Sequence, residues 1–223
     1  MSLKAISAFA LFLGFSAVAQ AVELDSLEQR FSYTLGVQVG QQLKAQGVAV
    51  DSTAFAAAIE DVTGGRDLQL DATQMIQAMQ ESKASRDKEK QEKGQLALTA
   101  GKEFLAQNKT KEGVVELPSG LQYIELQAGQ GESPKVDSEV TVNYRGSFIN
   151  GEEFDSSYSR GKPTSFKLDG VIAGFRESIT LMKPGAKWKV FMPAELAYGV
   201  NGAGSAIGPN ETLIFDIELI SFE

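Results

Sequence analysis

The chain has 223 residues, 43% hydrophobic and 22% charged, with a formal net charge of −8. That composition suits a globular protein of one or two domains, and its acidity argues against a nucleic-acid partner, which would need clustered Lys and Arg. There is no cysteine and no histidine, which excludes thiol nucleophiles, Ser-His and Cys-His couples, zinc fingers and most transition-metal sites; no cofactor and no metal are expected.

The first residues carry the pattern of an export signal. Lys4 gives a positive start, Ala5 to Val18 is an apolar run, and Ala19-Gln20-Ala21 is a small-x-small cleavage pattern. Cleavage after Ala21 is the preferred reading and after Ala19 the alternative. The run is short for a membrane span of about 20 residues. The mature chain is therefore expected to have no integral membrane span and a charge of about −9 by formal counting. Export without cysteine fits the periplasm, with the cell surface or full secretion as alternatives.

Residues 22–70 read as a helical domain. Leu27, Phe31, Leu35, Val39 and Leu43 repeat every four residues and form one apolar stripe. Gly36 and Gly40 lie within it and would let another helix approach closely, either inside this segment or from a second copy. Asp51-Ser52 caps a second helix and Gly64-Gly65 ends it. A helical unit of about 50 residues has trouble covering its own apolar face. A homodimer through Phe31, Leu35, Gly36, Val39, Gly40 and Leu43 is the expected remedy.

Residues 71–112 read as a long connecting helix. Asp71 with Gln74 is a capping box, and helical composition runs to about Asn108. Lys83 to Lys93 is almost all charged or small, the pattern of a solvent-spanning strut or, alternatively, a disordered linker. Gly94 and Gly101 are expected points of bending.

From 113 to 223 the period changes to two. Leu121/Tyr123, Val140/Val142/Tyr144, Trp188/Val190/Met192 and Leu213/Phe215/Ile217/Leu219 alternate with outward neighbours, as half-buried antiparallel strands do. Asn150-Gly151 signals a hairpin. One short helix fits between Gly174 and Met182. The expected class is α+β: an all-helical N-terminal dimerisation domain, a long connecting helix, and a curved antiparallel sheet wrapped on a short helix.

Five segments carry a resemblance. Val142-Asn-Tyr-Arg-Gly146, Phe154-Asp-Ser-Ser157, Val171-Ile-Ala-Gly-Phe175, Ala197-Tyr-Gly199 and Leu213-Ile-Phe-Asp-Ile-Glu-Leu219 resemble the signature segments of FKBP-type peptidyl-prolyl cis-trans isomerases, in family order. Ser32 to Gly40 and Leu43 to Gly47 are similar to the dimerisation region of the periplasmic Mip-like and FkpA-like members. The resemblance implies that Tyr144, Phe154, Phe166, Val171, Ile172, Phe175, Ile207 and Phe215 line a proline pocket. Phe175 stands where the family usually has Trp. It implies that Asp155 bonds polar groups of substrate or of a macrolide inhibitor such as rapamycin, that Arg160 holds Asp155, and that the Ile172 N–H and Tyr198 hydroxyl bond substrate carbonyls. The loop Gly202-Ala203-Gly204-Ser205-Ala206 departs from well-known members and is expected to be mobile.

The implied partners are unfolded or proline-containing polypeptides, and the implied activity is prolyl isomerisation in the folding of exported proteins, with a chaperone role. The rival reading is a non-catalytic holdase or surface binding protein, with a part in virulence, that uses the same cleft. Isomerisation needs no nucleophile and no proton transfer, only a pocket that prefers the twisted amide. A chain without histidine can meet that requirement.

Overall fold

A computed structural model describes residues 23–223; the export-signal reading of 1–21 lies outside them. The chain divides after Lys44 into two compact units.

In the first unit, helix α1 spans Leu27–Ala45. Ser26 and Gln29 cap it reciprocally: the Gln29 N–H donates to Ser26 Oγ (3.1 Å) and the Ser26 N–H to Gln29 Oε1 (2.8 Å). The helix buries none of its residues. Phe31 is 61% exposed and Leu35 46%, so no described residue buries the predicted stripe. A Cβ at Gly36 or Gly40 would meet no atom within 4 Å.

The second unit begins with α2, Ser52–Thr63. Asp51 caps it by accepting from Thr53 N and Ala54 N, and Gly64 closes its C-terminus. Buried Asp61 accepts from Arg66 Nε (2.9 Å) and Gln69 Nε2 (3.0 Å), which fixes the turn into the next helix. Helix α3 then runs unbroken from Ala72 to Asn108, opened by the Asp71–Gln74 capping box. On its exposed middle, Lys83–Asp87 and Glu89–Lys93 pair across one turn.

Seven antiparallel strands follow: β1 Val115–Glu116, β2 Gln122–Gln127, β3 Glu139–Phe148, β4 Glu153–Ser156, β5 Thr164–Lys167, β6 Lys187–Met192 and β7 Leu213–Phe222. Their order is β1-β2-β6-β7-β3-β4, with β5 also on β3. Helix α4, Ala173–Leu181, buries Phe175 and Ile179 in the sheet's core face. There they join Val140, Val142, Trp188, Val190, Leu213, Phe215, Ile217 and Leu219. Each such side chain contributes about 1.5–3 kcal/mol by burial. The α+β class and the sheet wrapped on a short helix are as expected.

Three expectations require correction. The long helix is a solvated strut only in its first part, because its C-terminal part docks on the sheet. Gly94 and Gly101 are buried, and the helix does not break at either. They are points of contact instead: a Cβ on Gly94 would lie 2.9 Å from Pro209 Cγ, and one on Gly101 would collide with the Thr212 side chain. This docking also covers the face of β2 and β6 that alternation assigns to solvent. Gln122 is 1% exposed and Phe191 5%. Gln122 accepts from Asn108 Nδ2 (3.0 Å) and donates to the Leu105 carbonyl (3.0 Å), while Phe191 packs on Phe104 at 5.9 Å. Among the described residues no helix is long and apolar enough to cross a membrane.

Gly101→Ala ought to raise helix propensity by about 1 kcal/mol. The collision with buried Thr212 should outweigh that gain, since overpacking costs about 1–3 kcal/mol. Urea unfolding of the variant is therefore expected at a lower midpoint than wild type; a higher midpoint would contradict the close packing.

Candidate active site

Strand β3 carries Tyr144 and Gly146 on one face, opposite Ile217 and Phe215 of β7. A tight turn at Asn150-Gly151 returns the chain, with Gly151 at φ 88° and its N–H bonded to the Phe148 carbonyl (2.9 Å). Strand β4 thereby sets Asp155 beside Gly146. Phe166 comes from β5, Val171 and Ile172 from the entry to α4, and Phe175 from its first turn.

These rings form one cluster. Phe175 meets Phe215 edge to face at 4.8 Å, Tyr144 at 5.8 Å and Phe166 at 5.8 Å. Phe154 meets Phe215 at 5.6 Å, again edge to face. Phe175 and Phe215 are buried at the floor, 5% and 4% exposed. Tyr144, Phe154, Phe166, Val171 and Ile172 are half-buried around them, and Ile207 packs into the same cluster. All eleven site residues read from the sequence belong to this region. The six stripe residues of α1 form a separate set.

One edge is polar. The Tyr144 hydroxyl donates to Asp155 Oδ2 (2.5 Å) and accepts from Arg160 Nη2 (2.8 Å). Arg160 also pairs with Asp155 Oδ1, reaches Thr164 Oγ1 (3.2 Å) and lies over the Tyr144 ring at 5.4 Å. Burial pushes the Asp155 carboxyl up, but the bonds from Tyr144 and Arg160 win and hold it below the usual carboxylate range. Burial, then the bond to Asp155, pushes the Tyr144 phenol up. Burial and the Asp155 charge do the same to Tyr198. Tyr198 is 37% exposed, and the Ile172 N–H makes no backbone hydrogen bond among the described residues.

The chain is 44% identical over 215 residues to the peptidyl-prolyl cis-trans isomerase Mip of Coxiella burnetii, covering 95% of this chain and 93% of that protein. The chain belongs to the FKBP-type peptidyl-prolyl cis-trans isomerases. The family profile so described matches residues 130–220 of this isomerase, and the profile for the domain amino-terminal to it matches 28–124. The isomerase is also 39% identical over 228 residues to a Legionella longbeachae protein named outer membrane protein MIP, covering 99% of this chain and 98% of that one. The crystal structure of FkpA from Escherichia coli superposes with a TM-score of 0.64 at 35% identity, covering 90% of this chain and 99% of that one.

Sequence reasoning missed three supports of the isomerase site. Gly146 leaves room for the floor: a Cβ there would lie 2.6 Å from Phe154 Cζ and 2.8 Å from Phe215 Cε1. Its place at the end of the Val142–Gly146 segment was the available signal. Thr164 steadies Arg160, and Phe148 backs Phe154 at 5.1 Å; nothing local marks either. The small-residue loop after Tyr198 is more tied than expected. Ala203 and Ile207 exchange backbone hydrogen bonds of 2.8 and 3.1 Å, and Gly202 N–H reaches the Tyr198 carbonyl at 3.2 Å.

The pKa directions fix the pH response. Asp155 is depressed, so its ionised interactions are complete above the ordinary carboxylate pKa and are lost only as pH falls through the lowered value. Tyr144 and Tyr198 are raised, so their protons stay on until pH passes above the ordinary phenol value. With no histidine, kcat/KM for a proline peptide should stay flat from about pH 5 to about pH 9. A bell-shaped profile centred near neutrality would contradict this.

Proposed function

We propose that this FKBP-type isomerase turns X-Pro bonds of exported polypeptides inside the Phe175 cup, and does so as a homodimer. An unaided X-Pro bond isomerises over tens to hundreds of seconds, behind a barrier of about 18–20 kcal/mol set by lost amide resonance. The twisted amide has a nearly single C–N bond and a less polar carbonyl. An apolar cup therefore favours it over the planar form, whereas water favours the planar form. Tyr144, Phe154, Phe166, Val171, Ile172, Phe175, Ile207 and Phe215 grip the pyrrolidine. The Ile172 N–H and Tyr198 hydroxyl hold the flanking carbonyls. Asp155, fixed by Tyr144 and Arg160, serves the polar edge. The same cup would take a macrolide inhibitor such as rapamycin.

The observation that carries this reading is the ring cluster on Phe175, with the Asp155 carboxylate held by Tyr144 and Arg160 at one edge. The stripe on α1, which no described residue buries, supports the dimer, because a second copy would cover Phe31, Leu35 and Val39, together with the half-exposed Leu43, across Gly36 and Gly40. On this account 22–70 is the dimerisation domain, 71–112 the connecting helix and 113–223 the isomerase domain. Two catalytic domains in one dimer would hold a client twice, which supplies a chaperone role. Export to the periplasm rests on the 1–21 signal pattern and the absence of cysteine; the Legionella relative's name points to the cell envelope.

One experiment separates the two functions. Asp155→Ala and Tyr198→Phe should lower isomerisation of a proline peptide on the order of tenfold each, as loss of one hydrogen bond implies, without changing sedimentation. Leu43→Asp should weaken the dimer and leave that rate unchanged. A wild-type chain that isomerises only at background while still preventing client aggregation would replace the enzyme reading with the holdase one. A wild-type monomer would overturn the dimer.

A further inference from the structure

The segment that carries Tyr198 and Ile207 is not held by the catalytic domain alone. Asn210 is the one described residue other than glycine with positive φ, at 58°. That left-handed backbone turns its two donors in different directions. Its N–H donates to the Gly199 carbonyl at 2.8 Å, one residue after Tyr198. Its side-chain Nδ2 donates to the carbonyl of Gly94 on α3 at 3.2 Å. A second link lies nearby: Lys90 Nζ donates to the Asn201 carbonyl at 3.1 Å. Gly94 itself lets Pro209 sit against the helix backbone. The loop from Gly199 to Asn210 is thus spanned between the catalytic sheet and the long helix.

We propose that Asn210 is a positioning residue for catalysis. It clamps the backbone beside Tyr198 to Gly94 of α3, so the C-terminal part of the connecting helix belongs to the frame of the active site. This rests on the proposed role of Tyr198 as a donor to a substrate carbonyl. The physical reason is local. Tyr198 is followed by glycines at 199, 202 and 204 that adopt positive φ, and glycine-rich backbone loses the most freedom when ordered. A loop of that composition needs an outside anchor to keep one hydroxyl in register to within a fraction of an ångström. Asn at position 210 supplies the anchor because it tolerates the left-handed conformation and still carries a side-chain donor.

The test uses the full mature chain and a proline peptide. Asn210→Gly keeps the positive φ and the amide bond to Gly199 but removes the link to Gly94. Its kcat/KM should fall about threefold to tenfold, the fold-change one hydrogen bond corresponds to. Asn210→Asp, which keeps the shape but turns a donor into an acceptor facing a carbonyl, should fall at least as far. Gly94→Ala should also lose activity even though α3 becomes a better helix by circular dichroism. A general structural role would lower the rate in any background. The clamp predicts that Asn210→Gly adds little further loss on top of Tyr198→Phe. Unchanged kcat/KM in Asn210→Gly, or an equal fold-loss with and without the Tyr198 hydroxyl, overturns the inference while leaving the donor role of Tyr198 standing. If Tyr198→Phe alone leaves the rate unaltered, the donor role fails and the clamp fails with it.

Discussion

Phe215 can press its edge onto Phe175 because position 146, its partner across the sheet, carries no side chain. A methyl group there would enter both the Phe154 and the Phe215 rings. From that vacancy the rest of the site follows. Phe215 comes from the central strand β7 and Phe175 from α4, so the contact joins sheet and helix at the floor of the cup. Tyr144, Phe154 and Phe166 then fill the remaining sides at edge-to-face angles, an arrangement aromatic rings favour. A floor built this way is rigid, because each ring is fixed by the next rather than by a flexible aliphatic chain.

Rigidity and low polarity are what the reaction needs. No group in the cup has to change its proton count, and the three titratable groups at its edge have all moved away from neutrality. Asp155 is held between a phenol and a guanidinium, a pairing that keeps one orientation without sealing the charge from water. On the proposed reading the chain separates two tasks: aromatic carbon stabilises the twisted amide, and fixed dipoles orient the peptide on either side of it.

The sheet was legible because Val140, Val142, Leu213, Ile217 and Leu219 recur every second residue between outward-facing neighbours, and that periodicity reports burial directly. Helix ends were legible at Asp51 and Asp71 because capping is local chemistry. The candidate site residues are legible through the five signature segments; their spacing alone does not gather Tyr144, Phe175 and Tyr198 in one place. The contacts at Gly94 and Gly101 are not legible in the sequence for a physical reason. A glycine in a helix lowers propensity wherever it occurs, and only the facing surface shows whether it also admits a neighbour. Gln122 and Phe191 failed likewise: alternation assigns faces, but it does not reveal that a distant helix covers the outer one.

The claim at the centre is that a desolvated aromatic cup lowers the barrier by preferring the twisted amide, with no proton in flight. The solvent deuterium isotope effect on kcat/KM, measured with a proline peptide in a protease-free assay, addresses it most directly. A ratio of about 1 is the result this account requires. A ratio of about 2 or more would mean that a proton moves in the rate-limiting step, and the cup could then no longer be the whole source of catalysis.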